Sequence, residues 1–323
     1  MNKKYFILTI FSILAIYGVF SSGIPYGNAA SSQAIIVDHT IVNMVRLDQI
    51  PESAINASKS ALHIAYGHTS HGSQIISGMT GLITFKNNSL YEFNNGGTGG
   101  ALDLHDYAMS GDLGNPDRIT WVTETRNYLD SNLDCNVIMW SWCGQVSSAT
   151  AWEIANYYLA NMNTLESEYP NVIFVYMTGH LDGTGLYGNL HLRNEQIRAY
   201  CIANEKILYD FADIESFNPD NTDFRSLNVS DGCDYIGGNW ANEWQAAHPG
   251  EWYACSPAHT VDLNGNLKAY AAWWLFARLA GWSGNIQTDG IPNYGLITSI
   301  ISIALIGVIY IFKRKSIITK IEI

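Results

Sequence analysis

What most constrains this chain is a fivefold alternation of short apolar runs with amphipathic stretches. Residues 61–66, 90–93, 136–142, 172–177 and 206–211 have the length and the β-branched and aromatic content of buried strands. Residues 73–85, 116–129, 149–169, 190–204 and 263–279 carry apolar positions at helical spacing, while 34–44 reads as an edge strand or an extended arm. Strands that alternate with helices build one α/β domain. We expect three layers, α/β/α, around a five-stranded parallel sheet covered by helices on both faces. Sites on such sheets form at the carboxyl ends of the strands, so the polar loops 67–73, 94–100, 143–148 and 178–184 are expected to share one crevice.

The two ends read differently from the body. Lys3 and Lys4, an apolar stretch over 5–20 and the small residues Ala29 and Ala30 mark 1–30 as a secretory signal. Residues 295–312 are long and apolar enough to span a bilayer, and Lys313, Arg314 and Lys315 follow at once. That order predicts a cytoplasmic basic tail over 313–323, a linker over 283–294 and an outward-facing body over 31–282, tethered at the cell surface. The net charge of 17 − 29 = −12 speaks against a nucleic-acid partner. Of the five cysteines, Cys233 and Cys255 flank one loop-rich stretch and are the pair chosen for a disulfide. Cys135, Cys143 and Cys201 are expected as buried thiols.

The stretch 63–74, HIAYGHTSHGSQ, is the best candidate for chemistry. A strand that breaks at a glycine into a serine-bearing turn before a helix lifts a hydroxyl clear of the sheet. Ser70 is therefore the expected nucleophile. Its own N–H, that of Gly99 or Gly100, and the side-chain amide of Gln145 are the expected oxyanion donors. His259, just ahead of the last helix, is the expected base. His68, His71, His180, Asp182 and Trp142 are expected to line the substrate pocket.

The order of these parts resembles the SGNH (GDSL-like) hydrolases. In that family a serine follows the first strand, a glycine the second, an asparagine the third, and a histidine precedes the last helix. GHTSHG matches through Ser70, NGGTGG through Gly99 or Gly100, SWCGQ through Gln145 in place of asparagine, and SPAH through His259. The resemblance spans 61–281 and implies a flavodoxin-like fold and an extracytoplasmic esterase or deacetylase. Its substrate would be an acyl ester of carbohydrate or lipid, and it would need no metal or cofactor. Thr69 replaces the family's Asp before the serine, and Ser256 stands where the acid three residues before the histidine is usual. Asp182, Asp213, Asp231 and Asp234 are the possible substitutes for that acid.

Two other readings use the same body. His68, His71, His180 and Asp182 could ligate a divalent ion in a metal-dependent hydrolase. Alternatively, among ten tryptophans, Trp140, Trp142, Trp240, Trp244 and Trp252 could line a glycan-binding surface on a catalytically degenerate protein.

Overall fold

The structure, a computed structural model, describes residues 34–285. The segments expected as signal, transmembrane helix and basic tail lie outside the described residues. Within those residues no helix is long and apolar enough to cross a membrane.

The central sheet has seven strands rather than five, all parallel. They are β1 (Ile35–Val37), β2 (His63–Gly67), β3 (Phe93–Asn94), β4 (Leu102–Asp106), β5 (Val137–Trp140), β6 (Ile173–Met177) and β7 (Ile207–Tyr209). Their spatial order is β1-β7-β6-β5-β2-β4-β3. Two strands account for the difference. β1 makes residues 35–37 of the 34–44 segment an edge strand on β7, and the rest of that segment turns into helix. β4 was hidden because LDLHD has no continuous apolar run: Leu102 and Leu104 are buried, while Asp103 and His105 are half-buried.

Side chains alternate across the sheet and feed two cores. Ile64, Tyr66, Val137, Met139, Val175 and Met177 face one core, and Ala65, Ile138, Trp140, Phe174 and Tyr176 face the other. The first is covered by α1 (Glu52–Ala61), α2 (Ser73–Lys86), α6 (Trp240–Ala247) and α7 (Asp262–Leu279). The second is covered by α3 (Thr120–Ser131), α4 (Ala160–Glu168) and α5 (Asn189–Ala203). α7 is buried on every side from Leu263 to Ala277. It approaches α2 so closely that a Cβ on Gly78 would fall 2.0 Å from the Gly265 carbonyl oxygen. Only glycine fits there.

From β2 the chain runs to β3 and β4 on one side, then returns past β2 to β5 on the other. β2 and β5 are therefore neighbours from which the chain departs in opposite directions, and the crevice beyond their carboxyl ends is where such sheets take ligands.

The edge strand β1 is clamped by His39, which follows it, to Asp213, which follows β7. His39 Nδ1 lies 2.5 Å from Asp213 Oδ2, the His39 N–H donates to the same oxygen at 2.9 Å, and the imidazole stacks on Phe217 at 3.5 Å. Burial lowers the His39 pKa, but Asp213 more than offsets this and leaves it above the ordinary 6.5. Burial raises Asp213, but His39 and Arg198 bring it below 3.8. The histidine's contribution is thus complete below pH 6.5 and fades as pH rises through the raised value. The carboxylate's is complete above 3.8 and fades as pH falls through the lowered one. We expect denaturant midpoints to decline on the alkaline side of pH 6.5, and His39→Ala to flatten that decline.

Candidate active site

The turns after β2 and β5 lie side by side because the strand pairing continues past the strand ends. The Ser141 N–H donates to the Gly67 carbonyl at 3.0 Å, and the Leu113 N–H donates to that of Ser141 at 3.1 Å. A Cβ on Gly72 would sit 2.2 Å from Ser141 Oγ, so glycine lets the two turns touch. Asp112, buried, then ties them together. It accepts from Thr69 Oγ1 at 2.6 Å on one turn and from Gln145 Nε2 at 3.4 Å on the other.

The meeting of these turns brings His71 onto Cys143. His71 Nδ1 is 2.9 Å from Cys143 Sγ, and His71 Nε2 is 2.9 Å from Asp231 Oδ2. Asp231 reaches the site because its loop pairs with the turn after β6 through a short antiparallel bridge between Asp182 and Ser230. A thiol, an imidazole and a carboxylate thus stand in hydrogen-bonded series, the arrangement that activates a nucleophile.

His180, from the turn after β6, completes the cluster. Its Nδ1–H donates to the Leu181 carbonyl at 2.7 Å, which leaves Nε2 with the lone pair. That Nε2 is buried and has no hydrogen-bond partner. Three imidazoles are stacked: His71 lies 3.6 Å from His180 and 4.2 Å from His259, nearly parallel to both. His259 is the exposed outer member and sits at φ +63°.

The electrostatics follow from this packing. The Cys143 thiol is brought down to about 4 by His180 and His71, against the upward push of partial burial. Of these two, only His71 has hydrogen-bond geometry toward the sulfur, so the proton belongs on His71. Burial lowers His71, but the bond to Asp231 and then Cys143 outweigh it and lift the imidazole to about 9. Burial raises Asp231, and its bond to His71 overcomes this and leaves the carboxyl below its ordinary value. The other four cysteines have thiols raised by burial.

Below the site lies a buried ion pair. Lys268 and Glu215 have no exposed side-chain surface, and their Nζ–Oε1 distance is 2.7 Å. Glu215 Oε2 accepts from the Leu181 N–H at 2.8 Å, beside His180. Lys268 also donates to Gln74 Oε1 at the start of α2, and Gln74 Nε2 donates to the Ala258 carbonyl beside His259. One charge pair therefore fastens the three segments that carry His71, His180 and His259.

The expected site residues divide sharply. Ser70 is in the crevice, with its Oγ 3.8 Å from Cys143 Sγ, but no histidine forms a hydrogen bond to it. His259 is there too, stacked on His71 rather than bonded to Ser70. Gly100 is not. Its loop joins β3 to β4, and the Gly96 N–H donates to Asp103, which pairs with His63 at the start of β2. That is the amino end of the sheet, four residues and about 13 Å from Gly67 at ~3.3 Å per residue. The unseen strand β4 is the reason. Gln145 is engaged within the turns: its Oε1 accepts from the Cys143 N–H at 2.9 Å, and its Nε2, the expected oxyanion donor, points to Asp112 Oδ2 at 3.4 Å.

His68 is buried between Tyr66 and Tyr107, with its nitrogens on Asp106 Oδ1 (2.6 Å) and the Thr69 carbonyl (2.7 Å). Both face oxygen acceptors, so neither turns a lone pair to the crevice. Asp182 caps its own turn through Thr184 at 3.0 and 2.5 Å. The expected metal set of His68, His71, His180 and Asp182 is thus reduced to His71 and His180, with Cys143 as the third donor. Their ligand atoms lie within 4.8 Å of one another. Trp142 is core, with its Nε1–H on the Met177 carbonyl and its ring edge-on to Tyr158. Trp140, Trp240 and Trp244 are also buried, so these four offer no face to a sugar ring. Cys233 and Cys255 are both free, Cys233 against Thr260 and Cys255 against Asp262.

Cys143 is the crevice residue that sequence reasoning passes over, because it is expected only as a buried thiol. The signal was present: SWCGQ places a cysteine before a glycine just past a strand, as GHTSHG places a serine past its neighbour. Compared with family models, curated proteins and solved structures, this chain matches none.

Proposed function

We propose that the protein is an acyl hydrolase that uses Cys143 as nucleophile, His71 as general acid and base, and Asp231 to orient His71. The observation that carries this reading is the hydrogen-bonded series from Cys143 Sγ through His71 to Asp231. The thiolate attacks the ester carbonyl carbon, and the carbonyl π electrons move to its oxygen. Donors of two kinds adjoin Cys143 and are available to stabilise that oxyanion. One is the Ser70 hydroxyl, 3.8 Å from the sulfur. The others are the first N–H groups of the short turn Gly144–Ser148, which have no acceptor within the turn itself. His71 then protonates the departing alkoxide and leaves a thioester on Cys143. Water, deprotonated by His71, cleaves the thioester to free acid and restores the thiolate.

The strand order β4-β2-β5-β6-β7 is the 2-1-3-4-5 order of flavodoxin-like sheets, and supports kinship with the SGNH hydrolases. In this chain the nucleophile has moved from the turn after β2 to the turn after β5. The signal-like start and apolar C-terminal segment support a cell-surface location with carbohydrate or lipid esters as substrates.

Alkylation tests the activated thiol. In chelator-treated protein, an ordinary cysteine loses about tenfold in iodoacetamide rate per pH unit below its pKa, because only the thiolate reacts. Cys143, at about 4, is expected to keep its rate from pH 8 down to pH 5. A rate that falls tenfold per unit across that range, read by peptide mass spectrometry, would remove the nucleophile from the proposal.

A further inference from the structure

We propose that His71, Cys143 and His180 also form a binding site for a soft divalent cation of the zinc class, whose occupancy shuts off the hydrolase. The inference rests on the same cysteine as the hydrolase reading, but on a different property of its surroundings. A thiol hydrolase needs one imidazole on its sulfur, and here a second stands within 4.8 Å without bonding to it. The second, His180, presents a buried Nε2 lone pair with no partner. Burying an unsatisfied acceptor costs free energy, and a cation would satisfy it.

The donor set suits zinc. Thiolate and imidazole are ligands for this ion, and a set of three leaves a fourth position open. Both imidazoles are already held in the ligating tautomer, His71 by Nε2–H on Asp231 and His180 by Nδ1–H on the Leu181 carbonyl. Such outer hydrogen bonds fix ring orientation and raise ligand basicity. His68 and Asp182, which would enlarge the set, are bonded elsewhere.

Entry of the ion requires one adjustment. Bond lengths of about 2.3 Å to sulfur and about 2.0 Å to nitrogen, at a tetrahedral angle, put ligand atoms about 3.5 Å apart. The His71 Nδ1–Cys143 Sγ contact of 2.9 Å must therefore open, and the proton it shares leaves to solvent. The cation then occupies the electron pair that attack on an ester would use, so binding and turnover exclude one another.

The test uses zinc chloride and cobalt chloride on the whole, chelator-treated protein. We expect one equivalent of zinc to suppress iodoacetamide labelling of Cys143, and cobalt to give a thiolate charge-transfer band. The band is expected to disappear in Cys143→Ser and in His180→Gln, and Asp231→Asn to weaken zinc affinity about 10–100-fold. Zinc that fails to protect Cys143 in the unaltered protein would overturn the site, and this arm needs no variant to fold. A cobalt band that survives in a folded His180→Gln protein would overturn it equally. Turnover of an aryl ester separates the two proposals. Activity in metal-free protein that zinc leaves untouched sinks the cation site alone. Activity that appears only with zinc sinks the thiol mechanism and, with it, the inhibitory role proposed for the cation.

Discussion

Cys143→Ala is expected to lower kcat/KM for a short-chain aryl ester by about 10³-fold or more, whereas Ser70→Ala should cost no more than about 10²–10³. The two variants discriminate because the serine and the cysteine share one crevice and only the cysteine has an imidazole on it. Removing the nucleophile ends covalent catalysis and leaves only binding and oxyanion stabilisation. Removing Ser70 would cost at most one donor to the oxyanion. The decisive readout is the acyl-enzyme: mass spectrometry after brief exposure to substrate should find the acyl group on the peptide containing Cys143. Finding it on the peptide containing Ser70, or finding Cys143→Ala as active as the unaltered protein, would return the mechanism to the serine.

Lys268→Met carries the largest expected loss of stability. Lys268 and Glu215 are both fully buried, and burial pulls the lysine's pKa below its ordinary value although Glu215 opposes this. Removing one partner of a buried ion pair leaves an uncompensated charge and typically costs about 3–5 kcal/mol. For a domain of this size that is roughly a 10 °C drop in Tm. The single and double variants together isolate the cause. In Lys268→Met/Glu215→Gln no charge is stranded, and the amide oxygen can still accept from the Leu181 N–H, so about 2 kcal/mol or more should return. A double variant no more stable than the single would show that the aliphatic packing of Lys268, or its cation–π contact with Phe211 4.0 Å away, mattered more than the charge.

The α/β alternation was readable because the buried strands of a parallel sheet are apolar on both faces, as in VIFVYM and NVIMW. β4 was not, because Asp103 and His105 interrupt its apolar run and its burial comes from β2 and β3 alongside. That single omission also misplaced Gly100, since a loop thought to leave a strand's carboxyl end enters the next strand's amino end. α6 was lost in a stretch dense with glycine and tryptophan, where Asn239 caps the helix by accepting from the Asn242 N–H. Within the site, the crevice with His71 and His180 was legible from the strand exits, and His259 from its place ahead of the last helix. The pairing of His71 with Cys143 and Asp231 was not. It depends on residues 72 and 160 positions apart that only the folded sheet sets side by side.

The Ser141 N–H bond to the Gly67 carbonyl has a consequence for how this chemistry can change over time. Sulfur and imidazole are borne on separate strand exits, so the sheet's register acts as the ruler between them. Inserting or deleting one residue in either β2 or β5 would shift one exit by about 3.3 Å and turn its side chains to the opposite layer. Sequence drift in the surrounding loops is therefore tolerable where length drift in these two strands is not. Any chain that keeps the contact between His71 and Cys143 must keep the count of residues from Gly67 to His71 and from Trp140 to Cys143.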